Sequence, residues 1–338
     1  MDKLKIAVVT INQPSLTAAC NLMPHLHDYD VDVFGKKDLE HNLDNLNLYN
    51  KIDEIMPAAW EGYDAIIAIL AMGAVVRKIA PFLKDKATDP AVIVINLALD
   101  KIVPLLSGHL GGANELSDTI ASRIDGCVNF VSTATDQTKT LAFEMFAKKN
   151  DLEIHNLKEL AFISNSLLNK KEVEVLTCEA IYETIPNKKN LTRVDEQTSE
   201  LCVNITPFDS PLLTFKPKVF LGMGCNRDTS FEDIEKAFLT FLESKKLKIE
   251  QIENIASFEA KADEKGLLEF AKKYNFDIQF YNESEINNLE GEFSKSASTK
   301  FFGLKGVAEP SSVLISKYKE LIIDKEVYDK KITIAAAV

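Results

Sequence analysis

The feature that most constrains this chain is an alternation of short, β-branched apolar runs with stretches of helical spacing over the first 123 residues. Leu4–Thr10, Val31–Phe34 and Tyr63–Leu70 read as strands, and Ser15–Leu26 and Ala74–Leu83 as helices. Lys51–Met56, stopped by Pro57, marks another element edge. Ala91–Asn96 and Lys101–Leu106 read as a strand pair, followed by a Gly-rich turn and the amphipathic stretch Ala113–Arg123. Strands and helices in this order pack as α/β layers.

The pattern weakens after Val128, where Thr138–Lys149 and Leu157–Leu168 read as helices and Val173–Thr177 as a strand. Pro207, Pro211 and Pro217 fall close together and read as a linker. Beyond it the alternation resumes. Lys218–Leu221 is a predicted strand, Gly222–Cys225 a turn, and Thr229–Ser244 a helix with a capping-box match between Thr229 and Glu232. Ile249–Ser257, Gly266–Tyr274, Asp277–Tyr281 and Glu283–Leu289 continue it, Ser311–Tyr318 reads as a helix, and Glu320–Val338 as a closing strand pair. These spacings predict two α/β domains, one on each side of the proline segment, facing across a substrate cleft.

Composition narrows the function. At roughly 150 residues per domain, 338 residues suggest two or three domains, and 46% apolar residues supply their cores. A net charge of −12 argues against a nucleic-acid or anionic-membrane partner. The apolar run Ile66–Val76 has eleven residues, too few to span a bilayer, and Met1–Thr10 lacks a signal-peptide core. The five cysteines are odd in number and form no C-x-x-C pair, so neither a disulfide framework nor a zinc site is expected. A cytoplasmic protein without an intrinsic metal follows as the expectation.

Two segments carry chemistry. In the first, Gly73 and Arg77 stand at a predicted strand-to-helix junction that favours an anion, Asp89-Pro90 opens a strand, and Leu106–Asn114 closes the unit. Gly108, Gly111 and Gly112 let the backbone approach a ligand, with Ser107, His109 and Asn114 nearby; the alternative is a purely structural turn. In the second, Gly222, Gly224, Cys225, Arg227, Thr229 and Ser230 form another strand, turn and helix start. Cys225 is either an activated thiol or a small buried one. Only four arginines accompany 35 lysines, so Arg77 and Arg227 are candidates for bidentate carboxylate binding, against a surface ion pair. Lys261 and Glu264 lie in a charged cluster between a strand and a helix, and Glu309 is a lone acid at another helix entrance.

Together these strings resemble the cobalt-precorrin-5A hydrolases of anaerobic cobalamin biosynthesis. The resemblance rests on Gly73–Val92, Leu105–Asn114, Gly222–Ser230, Lys261–Leu267 and Gly306–Pro310, in order over almost the whole chain after residue 60. It implies an amino-terminal α/β domain at 1–130, a variable central region at 131–216 and a carboxy-terminal α/β domain at 217–338. It also implies the reaction: water opens the δ-lactone of cobalt-precorrin-5A and acetaldehyde leaves, giving cobalt-precorrin-5B. The cobalt then belongs to the substrate, and no protein cofactor is expected. The chain departs from the family pattern at Pro14-Ser15, Asn96, Leu99, Asn226 and Asp228.

On this reading His109 is general base or acid, with Glu264, Glu309 and Asp89 as competing carboxylates. Gly73, Arg77, Asp89, Ser107, Gly108, Gly111, Gly112, Asn114, Gly222, Gly224, Cys225, Arg227, Thr229, Ser230 and Lys261 would bind substrate. The partner is the cobalt-corrinoid intermediate, with a homodimer left open. The competing class is a non-catalytic corrinoid-binding or carrier protein.

Overall fold

The computed structural model describes residues 3–41, 46–85, 88–132, 140–294 and 303–338. The chain divides into two compact units, Met1–Lys139 and Thr140–Val338.

The first unit is built on β1 (Lys5–Val9), β2 (Asp30–Lys36), β3 (Leu46–Tyr49), β4 (Ala65–Ala68), β5 (Ala91–Ile95), β6 (Lys101–Leu106) and β7 (Val128–Asn129). They form one sheet in the order β3-β2-β1-β4-β5-β6-β7. Pairing is parallel from β3 to β5, antiparallel between β5 and β6, and parallel between β6 and β7. Successive strand side chains face opposite ways. Ile6, Val8, Ile67 and Ile93 therefore pack with α1 (Gln13–Leu22) and α4 (Ala113–Arg123). Ala7, Val9, Ile66 and Val92 pack with α2 (Ile52–Gly62) and α3 (Met72–Ile79). Each fully buried aliphatic side chain is worth about 1.5–3 kcal/mol.

Two local expectations change here. Pro57 lies inside α2 rather than ending an element. Burying Met56, Ala59 and Trp60 on the same helix face offsets the roughly 3 kcal/mol that an interior proline costs. α3 starts at Met72, two residues before the predicted Ala74, so Gly73 lies inside its first turn. At the family departure Pro14-Ser15, Ser15 N–H donates to Asn12 Oδ1 (3.0 Å) and Asn12 N–H to Ser15 Oγ (3.1 Å), a reciprocal cap that starts α1.

The second unit holds two sheets. The central one is ordered β10-β9-β11-β12-β8, from β8 (Glu153–His155), β9 (Val173–Leu176), β10 (Leu191–Val194), β11 (Cys202–Asn204) and β12 (Leu213–Lys216). It packs with α5 (Phe143–Asn150), α6 (Leu160–Leu168) and α7 (Glu179–Glu183). The described part of the Thr138–Lys149 expectation falls in α5; residues 138 and 139 lie outside the described residues. The proline segment is not simply a linker. β12 runs fully buried between Pro211 and Pro217, because Leu-Thr-Phe-Lys has strand propensity and the prolines sit outside its ladder.

The last sheet is ordered β15-β14-β13-β17-β16, from β13 (Val219–Cys225), β14 (Ile252–Phe258), β15 (Gln279–Tyr281), β16 (Leu321–Tyr328) and β17 (Ile332–Ala337). Its helices are α8 (Phe231–Lys245), α9 (Lys265–Tyr274), α10 (Glu283–Asn288) and α11 (Ala308–Ile315). The predicted turn at Gly222–Cys225 is instead the end of β13. Its glycines serve packing. A Cβ on Gly222 would run into Ala308 O and lie 2.6 Å from Ser312 N of α11, and one on Gly224 would lie 2.6 Å from Thr333 Oγ1 of β17. No described helix is long and apolar enough to cross a membrane.

Gly222→Ala must push the α11 backbone away and should destabilise the protein by at least about 2 kcal/mol. Gly62→Ala, which meets nothing within 4 Å, should stabilise it by about 0.5 kcal/mol. Urea unfolding of both variants checks the pair; equal effects would remove the packing explanation for Gly222.

Candidate functional site

Val92 pairs with Leu106, so Ser107 leaves β6 beside Asp89-Pro90 at the start of β5. A Cβ on Gly111 would lie 2.8 Å from Ser107 O and 3.4 Å from Asp89 O, which fixes the closeness of the two segments. The loop then closes on itself. Gly112 N–H donates to His109 O (2.9 Å), Ala113 N–H to Ser107 O (3.1 Å) and Asn114 N–H to Gly108 O (2.9 Å). Gly112 takes a left-handed conformation (φ +83°) ahead of α4, and Gly108 leaves room for Asn114 Oδ1, 2.6 Å from where a Cβ would stand. The N–H groups of Gly112, Ala113 and Asn114 at this helix start are thus spent on the loop's own carbonyls. The side chains complete the loop's polar groups.

Three of these differ in state. Asp89, 6% exposed, accepts the Lys84 N–H through both carboxylate oxygens (3.1 and 3.2 Å). His109 is half-buried. Ser107 is 8% exposed, left-handed (φ +56°), and its hydroxyl has no hydrogen-bond partner among the described residues.

Gly73 and Arg77 do not join this group. β4 runs parallel to β5, with Ala68 opposite Val94, so α3 starts at the carboxyl ends of these strands. Ser107 emerges at the other end. At about 3.3 Å per residue the two lie roughly 15 Å apart along the strands. The reversal between β5 and β6 separates what the sequence reading grouped into one unit. Arg77 Nη1 donates to Gly73 O (2.8 Å), laying the guanidinium along its own helix.

In the second unit, the strings around Gly222 and Lys261 do meet, at the carboxyl ends of β13 and β14. Glu264, 4% exposed, accepts from Asp228 N–H through Oε1 (2.6 Å). Its Oε2 lies 3.4 Å from Lys261 Nζ and 3.5 Å from Arg227 Nη1. Arg227 also pairs with Asp263, a partner the sequence signalled only as part of a charged cluster. Gly266 admits this approach, since a Cβ there would lie 2.9 Å from Phe231 N. Ser230, not Thr229, caps α8 by accepting Asp233 N–H (3.1 Å); Thr229 Oγ1 instead donates to Asn226 O (2.8 Å). Burial pushes the Cys225 thiol up to about 11, so it stays protonated near neutrality.

Glu309 is 2% exposed in the first turn of α11. It accepts from Ser294 N–H (2.6 Å), Ser294 Oγ (2.6 Å) and Lys325 N–H (2.9 Å). Burial pushes its carboxyl up, but the Ser294 hydroxyl and these two main-chain donors, with the Lys325 charge, hold it below the ordinary range. Neither Ser294 nor Lys325 was legible in the sequence, because both lie far from Glu309 along the chain.

Three family models match the chain in succession along these sheets. Residues 54–136 match the amino-terminal model of cobalamin synthesis G, 141–221 the cobalamin biosynthesis central region, and 219–337 the cobalamin synthesis G carboxy terminus. A cobalt-precorrin-5A hydrolase of Priestia megaterium is 30% identical over 92% of this chain and 88% of its own. One from Salmonella typhimurium is 30% identical over 77% of this chain and 78% of its own. A crystal structure of a cobalamin biosynthesis protein G homolog from Sulfolobus solfataricus is 22% identical, covers 99% of this chain and 97% of that one, and superposes with a TM-score of 0.40. The chain belongs to the cobalt-precorrin-5A hydrolase family.

The Glu309 environment sets a pH dependence. A carboxyl held below its unfolded value adds stability above the ordinary carboxylate range of about 4, lost as the pH falls through it. Glu309→Gln should cost about 1–3 kcal/mol at pH 7, with the gap to the parent closing toward pH 3. Urea unfolding at both values checks this, and an equal gap at each would refute it.

Proposed function

We propose that this chain carries out the family reaction: water opens the δ-lactone of cobalt-precorrin-5A and acetaldehyde leaves, giving cobalt-precorrin-5B. Family membership supports the substrate. The fate of the competing acids supports the placement of the chemistry. Asp89, Glu264 and Glu309 each hold main-chain N–H groups of their own chain, and Cys225 carries a neutral thiol. His109, in the Ser107–Asn114 loop, is the group whose type suits proton transfer near neutral pH. It takes the proton from the attacking water and returns one to the departing alkoxide oxygen.

Recognition is assigned separately. The substrate carries several acetate and propionate carboxylates, and Arg77, which uses Nη1 on its own helix, presents a planar fork for one of them. Arg227 is left out, since Asp263 already holds it. The reading treats cobalt as part of the substrate and takes no protein-bound cofactor and no nucleic-acid or membrane partner. It sets the reaction in the cytoplasm, which the −12 charge and scattered cysteines support. A homodimer is compatible with it.

Acetaldehyde release from cobalt-precorrin-5A separates a hydrolase from a corrinoid carrier, which would bind without releasing it. His109→Ala should lower kcat by roughly 10²–10⁴-fold with little change in KM. Arg77→Lys should instead raise KM by roughly ten-fold and spare kcat. Cys225→Ala should be silent in both. Loss of turnover in the cysteine variant with retention in the histidine variant would move the chemistry to the second unit.

A further inference from the structure

We infer that the Ser107 hydroxyl is a catalytic hydrogen-bond donor to the oxyanion formed as the lactone opens, a role that rests on the proposed reaction at the His109 loop. Ser107, Asn129, Ser311 and Tyr318 are among the described residues that keep a buried polar atom without a hydrogen-bond partner. Of these, Ser107 alone also has a left-handed backbone, at φ +56°. That conformation is strained for a non-glycine residue, and an enclosed hydroxyl without a partner adds a further penalty. Folding has no use for either. Glycine would relieve the strain, and alanine would remove the orphan atom.

The surroundings hold the residue in place. Ser107 O accepts Ala113 N–H (3.1 Å), and Gly111 packs so closely that a Cβ there would collide with the Ser107 side chain. The hydroxyl is therefore positioned before any ligand arrives, as electrostatic stabilisation of a transition state requires. It lies two residues from His109 in a loop where the N–H groups of Gly112, Ala113 and Asn114 are already spent, so the side chain adds a donor beside them.

The step balances. Water oxygen bonds to the lactone carbonyl carbon, its proton passes to His109, and the carbonyl π pair becomes an alkoxide that accepts the Ser107 O–H. When that pair returns, the ring C–O bond breaks and the leaving oxygen takes the proton from His109. Ser107 forms no covalent bond and ends unchanged.

The test uses the full chain with cobalt-precorrin-5A, following acetaldehyde release and thermal unfolding of Ser107→Ala and Ser107→Gly. Both should lose roughly 10²–10³-fold in kcat with KM and the shape of the pH–rate profile unchanged. The melting temperature should rise for alanine, which removes the orphan atom, and rise further for glycine, which also relieves the strain. A glycine variant that keeps kcat within three-fold of the parent overturns the inference, as does a fall in melting temperature that parallels lost activity in both. If His109→Ala is inactive while both serine variants turn over normally, only the Ser107 role falls. If the parent chain releases no acetaldehyde, the reaction itself is refuted and this role with it.

Discussion

The antiparallel turn-back of β6 against β5 governs the first unit. From β3 to β5 the strands run one way, with β1, β4 and β5 buried on both faces, and a further parallel strand would have delivered residue 107 to the same end as Gly73. The reversal sends it to the opposite end, beside Asp89. The hairpin that makes the reversal possible runs through Leu99, left-handed at φ +56°. Leu99 tolerates this because its side chain is buried in the core beside α1 and α4, so apolar burial opposes backbone strain of similar size.

Buried acids act in this protein mainly as braces. Glu264 ties the segment after β13 to the start of α9 through Asp228 N–H, and Glu309 ties α11 to Ser294 and to β16 through Lys325 N–H. Each answers the cost of removing a carboxylate from water with short hydrogen bonds. A carboxylate already holding main-chain donors is poorly suited to move a proton, and the proposal of His109 rests on that ground against acids that look equally catalytic in the sequence. The same logic separates the arginines: Arg227 has a carboxylate partner in Asp263, whereas Arg77 leans on its own helix.

The fold class was legible because it depends on local pattern. The apolar runs around Val8, Ile67 and Ile93 specify strands buried on both faces, and the helical spacing between them specifies the covering layers. Family membership was legible in short strings around glycines such as Gly222 and Gly266, which close backbone approach demands. Their purpose was not. The G-M-G string reads as a turn until α11 is seen lying across Gly222, and the proline segment reads as a linker until β12 is seen paired within it.

By itself the sequence determined the α/β class, the family, and the residue types from which a lactone-opening site is assembled. Tertiary structure alone decided which of them stand together. Strand direction put Arg77 and His109 at opposite ends of one sheet, and long-range main-chain donors occupied Glu264 and Glu309. It also revealed that Ser107 is strained and unpartnered. Residue spacing encodes local periodicity, whereas strand direction and hydrogen-bond satisfaction depend on partners far away in the chain, and no local pattern records them.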